Sequence, residues 1–418
     1  MKPRCRDVPI RSVTAVVSAA CNLRCQYCYQ NRAASARMPW PVLHAAIDRL
    51  LASAEPELSL QFTGGEPLLA FPLIRRAVSY VEKKRPAVRQ VSYDVVSNGT
   101  LINRRHIRYF ADRPFNLQVS FDGTPAAQAL RGPGTFERLD RLLDLLKDDE
   151  PRLFQARLRV AVTVAIQALP HLADSIDYLL GKGVREIALS PAMGQAFPWR
   201  PSDIDVLDRQ MSRIFSASVL HYQRTGCVPL MLFRKESVER ARGRRSRFIC
   251  NAAEGSAITV DVDGQVYACA MLAESFQQFP DTPLRRRLIG MRLGDVRDPG
   301  LSDRLRALPE AAAATGVFHR KEAKHSPYGR CATCRFLASC DVCPMAVARD
   351  PEHADPNRLP DFLCAFNQVS LAYRKRFPLQ PSPLAILTGR VPLATLLGPR
   401  TSYGGRPERT RASAVART

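Results

Sequence analysis

The chain has 418 residues, 46% of them apolar, which is enough for one large domain and a smaller one around an ample core. No apolar run reaches the ~18–20 residues that a bilayer-crossing helix needs, so no such helix is expected. The net charge of +22 suits an acidic partner or a merely solvated basic surface. The basic residues are dispersed and not interleaved with stacking aromatics, which favours the second reading over nucleic-acid binding.

The first apolar run, SVTAVVSAA at 12–20, is too short for a membrane helix. It leads straight into a group of cysteines, so it reads as a buried strand rather than a cleaved signal, and the protein as cytoplasmic. From there to about residue 190 strand-like and helix-like patterns alternate. Strands are expected at 12–18, 58–62, 92–96, 116–120, 158–166 and 185–190. Amphipathic helices are expected between them at 41–54, 68–84, 101–111, 134–147 and 168–181, with GKG at 181–183 as a helix stop. Repeated strand–helix units imply parallel strands and an α/β domain of barrel or part-barrel geometry.

In such sheets ligands collect where the strands end. Strand one ends at Cys21, strand two at TGGEP (63–67), strand three at SNGT (97–100) and strand four at SFDG (120–123), which suggests one shared site. A further helix is expected at about 203–222, followed by a basic connector. The stretch 247–365 holds seven of the twelve cysteines. Beyond about Ala372 the chain is rich in Pro, Gly and Arg and reads as a loosely packed tail.

Twelve cysteines without an export signal point to metal or redox chemistry rather than to disulfides. In CNLRCQYCYQ (21–30), Cys21, Cys25 and Cys28 follow a Cys-x3-Cys-x2-Cys spacing, and Tyr27 precedes the last thiol. Structural zinc wants four ligands, usually in two separated pairs. Three thiols on an iron–sulfur cubane instead leave one iron open to a non-protein ligand.

On these residues the chain resembles the radical S-adenosylmethionine (SAM) enzymes, with a partial (β/α)6 barrel. The resemblance implies that Cys21, Cys25 and Cys28 hold a [4Fe–4S] cluster whose open iron chelates SAM. In that family the reduced cluster cleaves the sulfonium to a 5′-deoxyadenosyl radical. By the same resemblance Gly64 and Gly65 allow close backbone approach to SAM and Glu66 accepts from its ammonium. Ser97 and Asn98 match ribose positions, Ser120 and Arg131 are candidates for the SAM carboxylate, and Tyr27 would lie beside the adenine through its backbone.

The second field runs Cys250-x13-Gly264-x4-Cys269, then CATCRFLASCDVCP with Cys331, Cys334, Cys340 and Cys343, then Cys364. Two CxxC pairs five residues apart would make a cramped zinc site and leave Cys250, Cys269 and Cys364 unexplained. The order resembles the SPASM domain, a small cysteine-rich iron–sulfur domain of peptide-modifying radical SAM enzymes. That implies one or two auxiliary [4Fe–4S] clusters, one on Cys331, Cys334, Cys340 and Cys364, the other on Cys250, Cys269 and Cys343. Cys227 is a candidate fourth ligand for the second. The expected organisation is therefore a radical SAM barrel over 1–200, a connector over 201–246, a SPASM domain over 247–372 and a basic tail over 373–418.

Auxiliary clusters give a substrate radical a path for its surplus electron, which favours net oxidation. The expected function is a maturase that oxidatively modifies a ribosomally made precursor peptide through a C–C, C–heteroatom or thioether cross-link. Its electron donor would be of the flavodoxin or ferredoxin type. About twenty residues precede the cluster loop, so any leader is expected to be read by the catalytic body or by a separate leader-binding protein. The alternative is sulfatase-maturase-like side-chain oxidation, set back by Ala270, which follows Cys269 where sulfatase-maturing members carry an aspartate. A zinc-thiolate nucleic-acid-binding protein is the reading from a different class.

Overall fold

The structure is a computed structural model. It describes residues 10–379 except 32–34, 86–88, 194–197, 244–251, 253–254, 278–282, 290, 315–320, 341, 349–354 and 356. Six strands follow one another in space as in the chain: β1 (Ser12–Ser18), β2 (Glu57–Gly64), β3 (Gln90–Ser97), β4 (Phe115–Ser120), β5 (Leu158–Val164) and β6 (Ile187–Pro191). Every neighbouring pair among them is parallel. The result is an α/β fold with the open parallel sheet of a partial barrel.

The crossovers carry α1 (Trp40–Ala52), α2 (Phe71–Lys84), α3 (Arg104–Ala111), α4 (Pro125–Gln128), α5 (Thr135–Asp149), α6 (Pro151–Arg157) and α7 (Leu172–Gly181). Their apolar stripes face the sheet, as in α2, where Phe71, Ile74, Ala77, Val78 and Val81 are buried. Proline opens α1 and α2, where its missing N–H costs no intrahelical bond. α3 begins at a capping box: Asn103 Oδ1 accepts from the amides of Arg105 and His106, and the Asn103 amide donates to His106 Nδ1. Beyond the sheet come α8 (Asp203–Thr225), ended by Gly226 at φ 72°, and α9 (Lys235–Ala241).

The sheet does not stop at residue 200. β7 (Ala257–Val260) pairs parallel with β1, and β8 (Gln265–Tyr267) and β9 (Arg292–Asp295) continue it antiparallel, giving nine strands. The short pair β10 (His325–Ser326) and β11 (Gly329–Arg330) leads into the CxxC segment. Helices α10 (Pro283–Ile289), α11 (Leu301–Ala314), α12 (Pro344–Ala348) and α13 (Asp361–Arg376) complete the described elements. One hydrophobic cluster runs from Val13 through Phe377. No helix among the described residues is long and apolar enough to cross a membrane.

One expectation is corrected here. Residues 373–377, expected in the tail, are packed: α13 runs to Arg376 and Phe377 is fully buried, its ring stacked on Phe233 at 4.7 Å. Tyr222 also donates a hydrogen bond of 2.7 Å to the Leu379 carbonyl. Residues 380–418, Cys5 and Cys250 lie outside the described residues.

Candidate functional site

The loop after β1 carries Cys21, Cys25 and Cys28, of which Cys21 is exposed and the others half-buried. The Cys28 amide donates to the Cys25 carbonyl at 3.1 Å, so the chain turns tightly between them. The Leu23 amide points at the Cys21 sulfur (3.4 Å) and the Gln30 amide at the Cys28 sulfur (3.5 Å). Such donors stabilise a thiolate and tune an iron–sulfur cluster. Burial raises the Cys25 pKa to about 11; Arg131 opposes that rise, while Cys28 and Cys21 add to it. The three thiols therefore lie within electrostatic reach of one another.

Every neighbouring strand end holds this loop. Asn98, after β3, donates from Nδ2 to Asn22 Oδ1 (2.9 Å) and sits 3.8 Å from the Cys21 sulfur, while Asn22 donates to Thr100 Oγ1 at 2.9 Å. After β2, the Gly64 carbonyl accepts from Gln30 Nε2. The Gln26 amide donates to the Leu130 carbonyl at 2.9 Å, and the Asn31 amide to Ser275 at 3.1 Å. The four strand ends marked by their punctuation do meet at one place.

The glycine pair has a reason beyond ligand approach. The Gly65 and Glu66 amides donate to the carbonyls of Ser18 and Ala20, both at 2.8 Å. A Cβ on Gly64, whose φ is +146°, would stand 2.0 Å from the Ser18 oxygen, and one on Gly65 would stand 2.2 Å from the Ala20 oxygen. Only glycines let the β2 loop lie flat against the chain that delivers the cysteines.

Two carboxylates hold positions that the sequence reading did not assign. Glu66, expected to face a ligand ammonium, is fully buried and accepts from the Leu68 amide (3.1 Å), Ser97 Oγ (2.8 Å) and the Asn98 amide (2.8 Å). It braces β2 against β3, and burial pushes its pKa up to about 7 against those three donors. Ser97, expected at the ribose, donates its hydroxyl inward to this carboxylate. Asp122, in the SFDG segment that ends strand four, is 1% exposed and accepts from Arg131 Nε (2.9 Å), Arg131 Nη2 (2.8 Å) and the Thr163 amide (2.8 Å). The Tyr27 hydroxyl also donates to it.

Arg131 is therefore the buried partner of Asp122, not a surface arginine. Burial, the largest single influence, lowers its pKa, and the Asp122 carboxylate together with Tyr27 and Cys25 raises it overall. Tyr27 is fixed through its side chain, beneath the Arg131 guanidinium at 5.3 Å. Ser120 sits half-buried at the end of β4, in register with Ala161 of β5.

In the second field Cys331, Cys334 and Cys364 act on one another electrostatically. Cys334 and Cys340 pack together against Phe336, Leu371 and Ala241. Cys364, in α13, bonds to Ser326 Oγ (3.1 Å) and accepts from Gln368 Nε2 (3.3 Å). Lys324, 6% exposed, lies within electrostatic reach of Cys331. Cys269 and Cys343 are half-buried and pack against the main core. Cys227 is half-buried just past α8, its amide donating to Thr225 Oγ1 at 3.1 Å. Asp261, just after β7, is buried and accepts from the Val262 and Ser275 amides at 2.8 and 3.0 Å.

Among the described residues no three His, Cys, Asp or Glu side chains converge closely enough to share a single metal ion. A cubane cluster asks for something else, one thiolate for each of several irons, and all-sulfur loops with amides aimed at the sulfurs fit that demand.

Residues 15–150 match the model of the Radical SAM superfamily. A serine-type anaerobic sulfatase-maturating enzyme of Klebsiella aerogenes is 28% identical over 277 residues, 63% of this chain and 67% of that protein. The first three curated relatives are matched over 59 to 68% of their own length. Among solved structures, anSMEcpe with bound AdoMet and Kp18Cys peptide superposes with a TM-score of 0.67 at 18% identity, over 90% of this chain and 98% of that one. Streptococcus suis SuiB bound to its precursor peptide SuiA gives 0.54 at 13% identity, over 85% and 76%. The likeness to these two is one of fold.

Proposed function

Starting from a radical SAM superfamily enzyme, we propose one that oxidatively modifies a peptide, with Cys21, Cys25 and Cys28 as ligands of the cluster that binds SAM. One observation carries this reading: three thiols in Cys-x3-Cys-x2-Cys spacing on a single loop, within electrostatic reach of one another, with the loop tethered by the ends of β2, β3 and β4. When bound, the [4Fe–4S] cluster and SAM supply a 5′-deoxyadenosyl radical, the hydrogen-abstracting reagent of the family.

The chain's own part is to hold and orient. Glycines 64 and 65 keep the β2 loop against the cysteine segment, and Asn98 fixes Asn22 and Cys21. Asp122 takes Arg131 Nε and Nη2, and Thr163 Oγ1 takes Nη2 as well at 3.2 Å, so Nη1 is the amine left to meet a SAM carboxylate. Cys331, Cys334, Cys340 and Cys364 would hold an auxiliary cluster in a SPASM-type region, and Cys269 and Cys343, with Cys250, a second. Such clusters offer an outlet for the electron that a closing ring or double bond releases.

Peptide cross-linking is the leading outcome, with an external flavodoxin- or ferredoxin-type donor supplying electrons. The sulfatase-maturase-like alternative draws support from the Klebsiella relative. Against it, Asp261 is committed to Ser275 and Val262, and position 270 is alanine.

The test is anaerobic reconstitution with iron, sulfide and SAM, reductant and candidate peptides. The proposal expects a brown protein, 5′-deoxyadenosine, and a peptide lighter by two mass units. A hydrazide that captures the product reports an aldehyde and the maturase alternative; an unreactive product reports a cross-link. Continued SAM cleavage after Cys21, Cys25 and Cys28 are all replaced by alanine would remove the basis of the reading.

A further inference from the structure

A cleft of about 570 Å³ opens between the first turn of α3 and the middle turns of α5. Its floor is aliphatic: Ile102 and Leu142 are buried, and Leu145 is half-exposed. Its rim carries four exposed guanidinium groups, Arg104 and Arg105 from α3, Arg138 and Arg141 from α5. One carboxylate answers them directly, Asp149 on Arg104 at 2.8 Å. Asp140 and Asp144, on another face of α5, are held by Lys182 at 2.5 and 2.9 Å. The first amides of α3 are already taken by Asn103, so the positive field of the cleft comes from the arginine side chains.

We infer that this cleft docks an acidic segment of the peptide substrate. Carboxylates would pair with Arg105, Arg138 and Arg141, and an aliphatic side chain between them would cover Leu145. A nucleic-acid strand fits less well, because the floor offers no ring for a base to stack on. The position suits the purpose. The first turn of α3 follows the end of β3, and Ile102 lies four residues after Asn98, which braces the cysteine loop. Four residues span at most ~14 Å, so about four or five extended residues of a docked peptide would reach the site.

The inference rests on the peptide reading above, and its test is read by binding, with SAM cleavage as a separate control. Full-length protein is titrated into a fluorescein-labelled twelve-residue peptide of alternating Glu and Leu, into its Gln-for-Glu counterpart, and into a single-stranded oligonucleotide, and anisotropy is read. The acidic peptide is expected to bind, weakening with salt, and the Gln peptide to bind about tenfold or more weakly. Replacing Arg105, Arg138 and Arg141 together by Gln should produce a similar loss while SAM cleavage stays at its basal rate. The single change Arg138→Gln should give a smaller loss in the same direction. Unchanged peptide affinity in the triple variant overturns the inference. So does an oligonucleotide that displaces the peptide and loses its own binding in that variant. Failure of the wild-type chain to cleave SAM would sink the proposed function and leave the binding result to stand by itself.

Discussion

The Asp122–Arg131–Tyr27 contact makes a quantitative demand. Asp122 gathers donors from the turn after α4, from β5 and from the cysteine loop, in a place where its side chain is 1% and that of Arg131 7% exposed. In Asp122→Ala the guanidinium stays buried without its counter-charge, a change that costs about 3–5 kcal/mol. Water can reach Arg131 if the loop around Tyr27 swings away, so most of that cost should appear as easier opening of the loop. At 1.4 kcal/mol per factor of ten, loop opening becomes roughly 100-fold or more frequent. The assay is alkylation of reduced, iron-free protein, with each cysteine followed by mass spectrometry. Cys25 and Cys28 should label faster by about that factor, with Cys227 and buried Cys364 unchanged. Adding Arg131→Met to Asp122→Ala should recover part of the protection, because the stranded charge goes with it. Equal acceleration at Cys364 would mean global unfolding, and no acceleration at Cys25 would mean that the contact holds nothing; either result refutes the reasoning.

Gly65→Ala drives a Cβ into the Ala20 carbonyl at 2.2 Å, where only backbone can give, so it should cost about 1–3 kcal/mol and lower iron retained by the first three cysteines. Wild-type iron content and melting temperature would show that the close approach does not matter. Glu66 has a folded pKa raised by burial to about 7 from 4.5, so the folded state binds its proton more tightly than the unfolded one. Its contribution is fully present below pH 4.5 and is lost as pH rises to about 7, roughly 3 kcal/mol in all, and the stability slope over that range should flatten in Glu66→Gln. A slope unchanged by the substitution would refute the assignment. Phe377→Ala removes a fully buried ring stacked on Phe233 and should cost about 3–5 kcal/mol by denaturant titration, whereas a loose tail from residue 373 would tolerate it.

What could be read from the sequence follows from how local each signal is. The six parallel strands are apolar runs closed by polar or glycine punctuation, and β1 and β4 fall on the residues expected of them to within one position. α4 and α6, of four and seven residues, are too short to show a period, and both begin at proline, which reads equally well as a turn. Asp122 precedes a glycine, so local chemistry says turn; its partners lie at 27, 131 and 163 and no local rule reaches them. For Glu66 the motif locates the loop but not its protein partners at Leu68, Ser97 and Asn98, because a motif reports a backbone path and not which way a carboxylate turns.

β7 to β9 escaped notice for a related reason, and their position changes how the two cysteine fields relate. Strands of three or four residues stabilise little alone. These form because β1 offers an edge, in a register that sets Ser12 against Ala257 and Ala15 against Val260. Cys269 thus hangs from the same sheet as Cys21, Cys25 and Cys28. The far side of the first loop touches the segment beyond it, Tyr29 against Phe276 at 5.8 Å and the Asn31 amide on the Ser275 carbonyl. A linker between the fields would let their separation wander over nanoseconds to microseconds, whereas a shared ladder and core hold it to the small fluctuations of packed secondary structure. A chain that must pass an electron from one place to another gains from that fixity, since the separation is then set once, by folding.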